Sequence, residues 1–222
     1  MRQIVLDTET TGIRVDDGHR MIEIGCVEMI NRKPTGKHFH RYFNPEREVE
    51  AGALAVHGLS NDFLNDKPLF ASVAEELMAF LTGAELIIHN APFDLSFLNH
   101  EFYLTRKGWK PITHYCQVID TLVMARERHV GQRNSLDALC KRYNIDNSKR
   151  EMHGALLDAH LLLKVYLAMT GGQSSFFDAF SEATPAQSEQ AAAVANVVLS
   201  NYQIKVVAAS AEELAAHEDY IA

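Results

Sequence analysis

Ile4-Val5-Leu6-Asp7-Thr8-Glu9-Thr10-Thr11-Gly12 is a short apolar run that passes into two carboxylates and then a glycine turn. Three aliphatic residues in a row predict a buried strand. Asp7 and Glu9 are two apart at its end, so strand alternation points both side chains to one face. Like charges at that spacing repel, which costs stability unless a cation bridges them. A lone Asp-x-Glu is most simply a polar strand exit. Here the preceding run is too apolar, and further carboxylates follow in comparable places.

Working outward, Met21–Ile30 reads as a second strand, and residues 37–43 alternate as a third. Asn31-Arg32-Lys33-Pro34-Thr35-Gly36 between them is a hairpin-type connection. Residues 72–81 place Val73, Leu77, Phe80 and Leu81 at helical spacing. Leu86-Ile87-Ile88 is another buried-strand run. Asn90-Ala91-Pro92 opens a helix carrying Phe93, Phe97, Leu98 and Phe102, with Asn90 as its expected cap. A short strand at Gln117–Asp120, helices near 121–128 and 135–143, and a last core helix over 154–169 complete the pattern. Three meander strands followed by alternating strands and helices predict an α/β fold with a mixed five-stranded sheet flanked by helices. Sites in such sheets gather at strand ends and helix starts.

Two further clusters lie at such places. Asp94, in His89-Asn90-Ala91-Pro92-Phe93-Asp94, falls in the first turn of a helix after a buried strand, where the helix dipole alone would favour a carboxylate. His153-Gly154-Ala155-Leu156-Leu157-Asp158 is the other. On one continuous helix, His153 and Asp158 would point about 140° apart. They converge more easily if His153 lies on the loop before the helix, and Gly154 suits that boundary. Asp158 sits among leucines and alanines, where a carboxylate needs a partner. Carboxylate oxygens are hard ligands suited to Mg²⁺ or Mn²⁺. Two such ions about 4 Å apart hold both the attacking and the leaving oxygen of a phosphodiester. A histidine beside them can take the proton of the attacking water.

The bulk composition bounds these readings. The chain has 222 residues, 47% hydrophobic and 23% charged, with a net charge of −8. That balance weighs against coating nucleic acid through a broad basic surface, though not against gripping one strand end. Cys26, Cys116 and Cys140 are odd in number and widely spaced, so free thiols are expected. No apolar run is long enough to span a bilayer, and no signal-peptide layout precedes Asp7; a cytoplasmic location is the expectation.

Together, Asp7-Thr8-Glu9-Thr10-Thr11-Gly12, His89 to Asp94 and His153 to Asp158 resemble the three motifs of the DEDDh 3′–5′ exonucleases. Val56-His57-Gly58-Leu59 and Arg133-Asn134-Ser135-Leu136-Asp137-Ala138-Leu139-Cys140 support the likeness, which runs from Ile4 to Gly172. The resemblance implies a ribonuclease-H-like fold. It implies that Asp7, Glu9 and Asp158 bind two divalent ions, Mg²⁺ or Mn²⁺, and also touch substrate, with Asp94 assisting the metals. His153 would be the general base. His57, Thr10 and Thr11 would lie beside the terminal nucleotide, with Asn90 and Phe93 near the scissile end. Some relatives carry a substrate-contacting Glu shortly before the counterpart of His57; here the text is Glu50-Ala51-Gly52-Ala53. Lys141, Arg142, Lys149 and Arg150 read as a solvated basic loop, with DNA-backbone contact as the alternative.

The composition changes after Gly171. Residues 1–172 read as the exonuclease domain, 173–200 as a flexible linker and 201–222 as a docking segment. Ser210-Ala211-Glu212-Glu213 resembles a capping box. Gln173-Ser174-Ser175-Phe176-Phe177 looks like a sliding-clamp-binding peptide, anchored by Gln173, Phe176 and Phe177. The resemblance, taken with this tail, implies removal of mispaired nucleotides from a DNA 3′ end, as the proofreading subunit of a replicative polymerase. The expected partners are the DNA 3′ end, the polymerase's catalytic (alpha) subunit through residues 201–222, a small theta-type accessory subunit and the sliding clamp. An RNA-trimming exoribonuclease of the same family and a mainly structural polymerase-stabilising subunit remain as alternatives.

Overall fold

A computed structural model of the chain describes residues 1–148, 150 and 152–171. The proposed linker, the clamp-binding peptide, the docking segment and Lys149 lie outside the described residues. The sheet has five strands in the order β3-β2-β1-β4-β5. Strand β1 (Arg2–Thr10) runs antiparallel to β2 (Met21–Ile30), which runs antiparallel to β3 (Lys33–Tyr42). On the other side of β1, β4 (Glu85–Ile88) and β5 (Gln117–Asp120) run parallel to it.

Strand alternation sorts the core into two layers. Ile4 and Leu6 of β1 join Ile24, Leu86 and Ile88 on one face. Helices α3 (Phe70–Leu81) and α4 (Ala91–Leu104) cover that face through Leu77, Leu81, Phe97 and Phe102. Val5, Val27, Met29 and Ile87 point the other way. They meet α6 (Leu136–Arg142) and α7 (Ala155–Thr170) through Leu139, Leu162 and Tyr166. Helix α5 (Thr121–Arg128) follows β5 directly.

Several local features differ from the sequence expectation, each for a physical reason. The β2–β3 hairpin is tighter than the six residues 31–36. Ile30 pairs with Lys33, and Asn31 and Arg32 alone make the turn, at φ 50° and 67°. Two left-handed residues match the twist of the flanking strands. Pro34 and Gly36 weaken the sequence signal for β3, but Pro34 is tolerated because β3 is an edge strand. Two short helices, α1 (Ala51–His57) and α2 (Asn61–Leu64), lie where no periodic apolar pattern announced them.

Asn90 does not cap α4 with its side chain; it is the left-handed residue at the helix entrance, at φ 67°. The cap comes from Asp120 at the end of β5. Its carboxylate accepts from the N–H groups of Asn90 (3.1 Å) and Ala91 (3.2 Å), and from Leu122 (2.8 Å) and Val123 (3.4 Å). One carboxylate therefore fixes the starts of α4 and α5 together. Gly154 does mark the helix boundary. It is the extended residue before α7, leaving His153 on the loop and Asp158 in the first turn. A Cβ on Gly25 would lie 2.3 Å from the carbonyl carbon of Ala155 and the nitrogen of Leu156. Only glycine at that point of β2 lets the start of α7 close onto the sheet. Among the described residues, no helix is long and apolar enough to cross a membrane.

Candidate active site

The end of β1, the start of α4 and the start of α7 converge on a cleft of about 610 Å³. Asp7, Glu9, Asp94, His153 and Asp158 all line it, together with Asn90 and Phe93. Asp94 is buried and accepts a hydrogen bond from the Thr8 hydroxyl at 2.7 Å. Asp158, also buried, is gripped through both oxygens by the Arg150 guanidinium, at 2.6 Å each. His153 is half-exposed at the lip, with Nδ1 3.4 Å from Asp158 Oδ2. Its backbone N–H donates to Val56 O at 3.1 Å, which ties its loop to α1.

The electrostatics follow from packing these acids together. Burial pushes the Asp7 carboxyl well above the usual range, and Asp94, Glu9 and Asp158 push it further. Glu9 is raised to about 8, by burial first and then by Asp158, Glu23 and Asp94. Burial also lifts Asp94, to about 7, against the opposing Thr8 hydrogen bond. Arg150 acts the other way on both Asp7 and Glu9. The centre is thus rich in hard oxygen donors and poor in positive charge, which is the condition a divalent cation relieves. Donor atoms of Glu9, His153 and Asp158 all lie within 4.8 Å of one another. That spacing would let one cation reach all three side chains.

Other expected residues sit differently. Thr10, Thr11 and His57 are buried next to the cleft rather than lining it. The Thr10 hydroxyl donates to Gly12 O at 2.7 Å, and that of Thr11 meets His19 Nδ1 at 3.0 Å. Both hydroxyls are engaged within the turn itself. His57 Nδ1 accepts from Leu59 N–H at 3.0 Å, so the ring proton sits on Nε2, which lies near the Thr10 backbone without a well-formed hydrogen bond among the described residues. Burial holds His57 below the usual histidine range. A Cβ at Gly52 would meet open space, so this position presents no side chain and crowds no neighbour.

Sequence reasoning missed Thr8, Asp120 and Arg150. Thr8 lies inside the Asp-Thr-Glu text, where strand alternation turns it away from Asp7 and Glu9 and gives no hint of its bond to Asp94. Asp120 looked like an ordinary strand end. Arg150 was taken as part of a solvated basic loop, yet its side chain is only 7% exposed. Its spacing of three residues before His153 was the one available hint.

Known proteins resemble this chain at the level of family and of fold. The exonuclease family model (RNase_T) matches residues 4–166. Over 221 residues the chain is 52% identical to the DNA polymerase III subunit epsilon of Salmonella typhimurium, covering 98% of this chain and 90% of that one. The chain belongs to the DNA polymerase III epsilon-subunit family. The epsilon subunit of Escherichia coli is 51% identical over the same span and coverage. Among solved structures, an exonuclease X complex with 5′-overhanging duplex DNA superposes with a TM-score of 0.59. It is 23% identical and covers 75% of this chain and 90% of its own. That likeness shows the fold that this epsilon-family chain shares with more distant exonucleases.

Proposed function

We propose that this epsilon-family chain is the proofreading 3′–5′ exonuclease of a replicative DNA polymerase, removing mispaired nucleotides from the DNA 3′ end. The observation that carries the chemistry is the convergence of Asp7, Glu9, Asp94 and Asp158 on one cleft with His153 at its lip. The donor set fits divalent ions, and Mg²⁺ or Mn²⁺ are the ones its hard oxygens suit. Bound there, two ions would supply the positive charge that steadies the attacking and leaving oxygens of the phosphodiester. Asp7, Glu9 and Asp158 would hold them, with Asp94 assisting.

The chain's own residues do the remaining work. His153 accepts a proton from the attacking water. Thr8 fixes the Asp94 carboxylate, and Asp120 fixes the turn that presents Asn90 and Phe93 to the scissile end. His57 offers its Nε2–H beside the Thr10–Thr11 turn, where the terminal nucleotide rests. The products are nucleoside 5′-monophosphates and a shortened strand. A mismatched end frays more readily than a paired one, so a cleft that takes single strands favours errors.

Residues 1–172 form the exonuclease domain in this reading. Residues 201–222 dock on the catalytic (alpha) subunit of DNA polymerase III, in the cytoplasm. Gln173, Phe176 and Phe177 engage the sliding clamp, and a small theta-type subunit binds the nuclease domain. The test is direct. The protein is incubated with Mg²⁺ and matched or mismatched primer-template, beside short RNA. Mononucleotides are expected from the DNA 3′ end, faster from the mismatch. Asp7→Ala should cost on the order of a thousandfold or more in rate, because the site acts as a unit. Full activity in that variant would refute the site, and preference for RNA would favour an RNA-trimming enzyme. Removal of residues 173–222 should leave the chemistry and abolish co-purification with the polymerase.

A further inference from the structure

Arg150 occupies an unusual position for a cation in a metal-type centre. Its guanidinium is almost wholly buried. Nε and one terminal nitrogen grip Asp158 through Oδ1 and Oδ2 at 2.6 Å each. That same terminal nitrogen lies 3.0 Å from His153 Nδ1. The other reaches Asp137 Oδ1, on the exposed side, at 2.6 Å. Three of the groups that line the cleft are therefore joined by one side chain.

Two consequences follow from elementary chemistry. First, a guanidinium only donates, so His153 Nδ1 must be the acceptor and the ring proton must sit on Nε2. The one lone pair by which His153 could take a proton is covered by Arg150. Second, a divalent ion ligated by Asp158 would stand roughly 4 Å from the guanidinium at ordinary ligand distances, and like charges that close repel strongly in a partly buried site. Arg150 and the cation compete for the same oxygens.

We infer that Arg150 is an exchangeable counter-cation. It neutralises Asp158 and covers the His153 lone pair until a divalent ion takes its place, and it then swings out on its Asp137 contact, uncovering the base. Arg150 is on this account a positioning residue that couples metal loading to readiness of the proton acceptor. The inference rests on the metal-dependent reading of the cleft given above.

The experiment measures Mn²⁺ binding to the full-length protein by calorimetry, without substrate, for wild type, Arg150→Gln and Arg150→Lys. Both variants should bind Mn²⁺ more tightly than wild type, by about tenfold for the glutamine, since the competitor is gone. The lysine keeps the charge but cannot bridge both Asp158 oxygens, His153 and Asp137 at once. Tightening in the glutamine variant alone would overturn the inference, because it would show a field effect and not a displaced contact. Unchanged or weaker binding in both would overturn it too. Absence of Mn²⁺ binding in wild type would instead overturn the metal reading itself.

A second measurement needs no variant and is indifferent to folding defects. With ¹⁵N-labelled histidine, the His153 ring should show the Nε2–H tautomer in chelator and a changed pattern on saturation with Mg²⁺. A pattern that Mg²⁺ leaves unaltered would refute the release of the base.

Discussion

Burial and the neighbouring Asp158, Glu23 and Asp94 hold Glu9 near 8 in the folded chain, against an ordinary value of 4.5. A carboxyl raised in this way favours the folded state most when it is protonated. Its contribution is fully present below about 4.5 and is lost as pH climbs through about 8. Asp94, raised to about 7, acts in the same direction. The chelated protein should therefore lose resistance to urea between pH 5 and 8. Glu9→Gln should flatten that slope, and saturating Mg²⁺ should suppress it; an equally steep slope in the variant would count against the assignment. Thr8→Val removes the hydroxyl that steadies Asp94, and it should lower activity or metal affinity by about 10- to 100-fold while the fold survives. At this scale the sequence was informative about residue types and weak about partners. Asp7 and Glu9 were readable from strand alternation, and Asp158 from its apolar surroundings. Arg150 was not, because a loop arginine looks the same whether it meets water or two carboxylates.

Helix α7 reaches the catalytic end of β1 only because Gly25 has no side chain. Gly25→Ala would drive a methyl group into the backbone of Ala155 and Leu156, which cannot yield as a flexible side chain would. The expected cost is about 1–3 kcal/mol of stability, with weaker metal binding as Asp158 is levered off the strand end. Urea melts and Mn²⁺ calorimetry on the same variant would check both; an unchanged affinity would separate helix docking from the site. Elements with strong periodicity, such as α3 and α7, were legible in advance. The start of α4 was legible only in part. Its cap is Asp120, about thirty residues away in sequence, and no local reading of Asn90 could supply it. Helices α1 and α2 escaped because they are short and mostly exposed, so they leave no apolar stripe.

Across the whole molecule, the two-layered core explains the cysteine chemistry. Cys26, Cys116 and Cys140 are all free and buried. Burial raises each thiol, Cys140 to about 11. The native protein should resist a thiol-specific reagent at pH 8, and the denatured chain should take up three equivalents. Rapid labelling before unfolding would contradict the packing. The sheet class was legible from the alternation of strand and helix text. The depth at which the site is sunk was not, since it depends on helices arriving from both faces. That arrangement has a consequence for how the enzyme comes into being. A growing chain that has reached only the end of α6 already possesses Asp7, Glu9 and Asp94, yet it lacks His153 and Asp158, and Val5 and Met29 lie without their α7 cover. Synthesis runs from the amino terminus, so the cleft stays incomplete in the growing chain until α7 arrives.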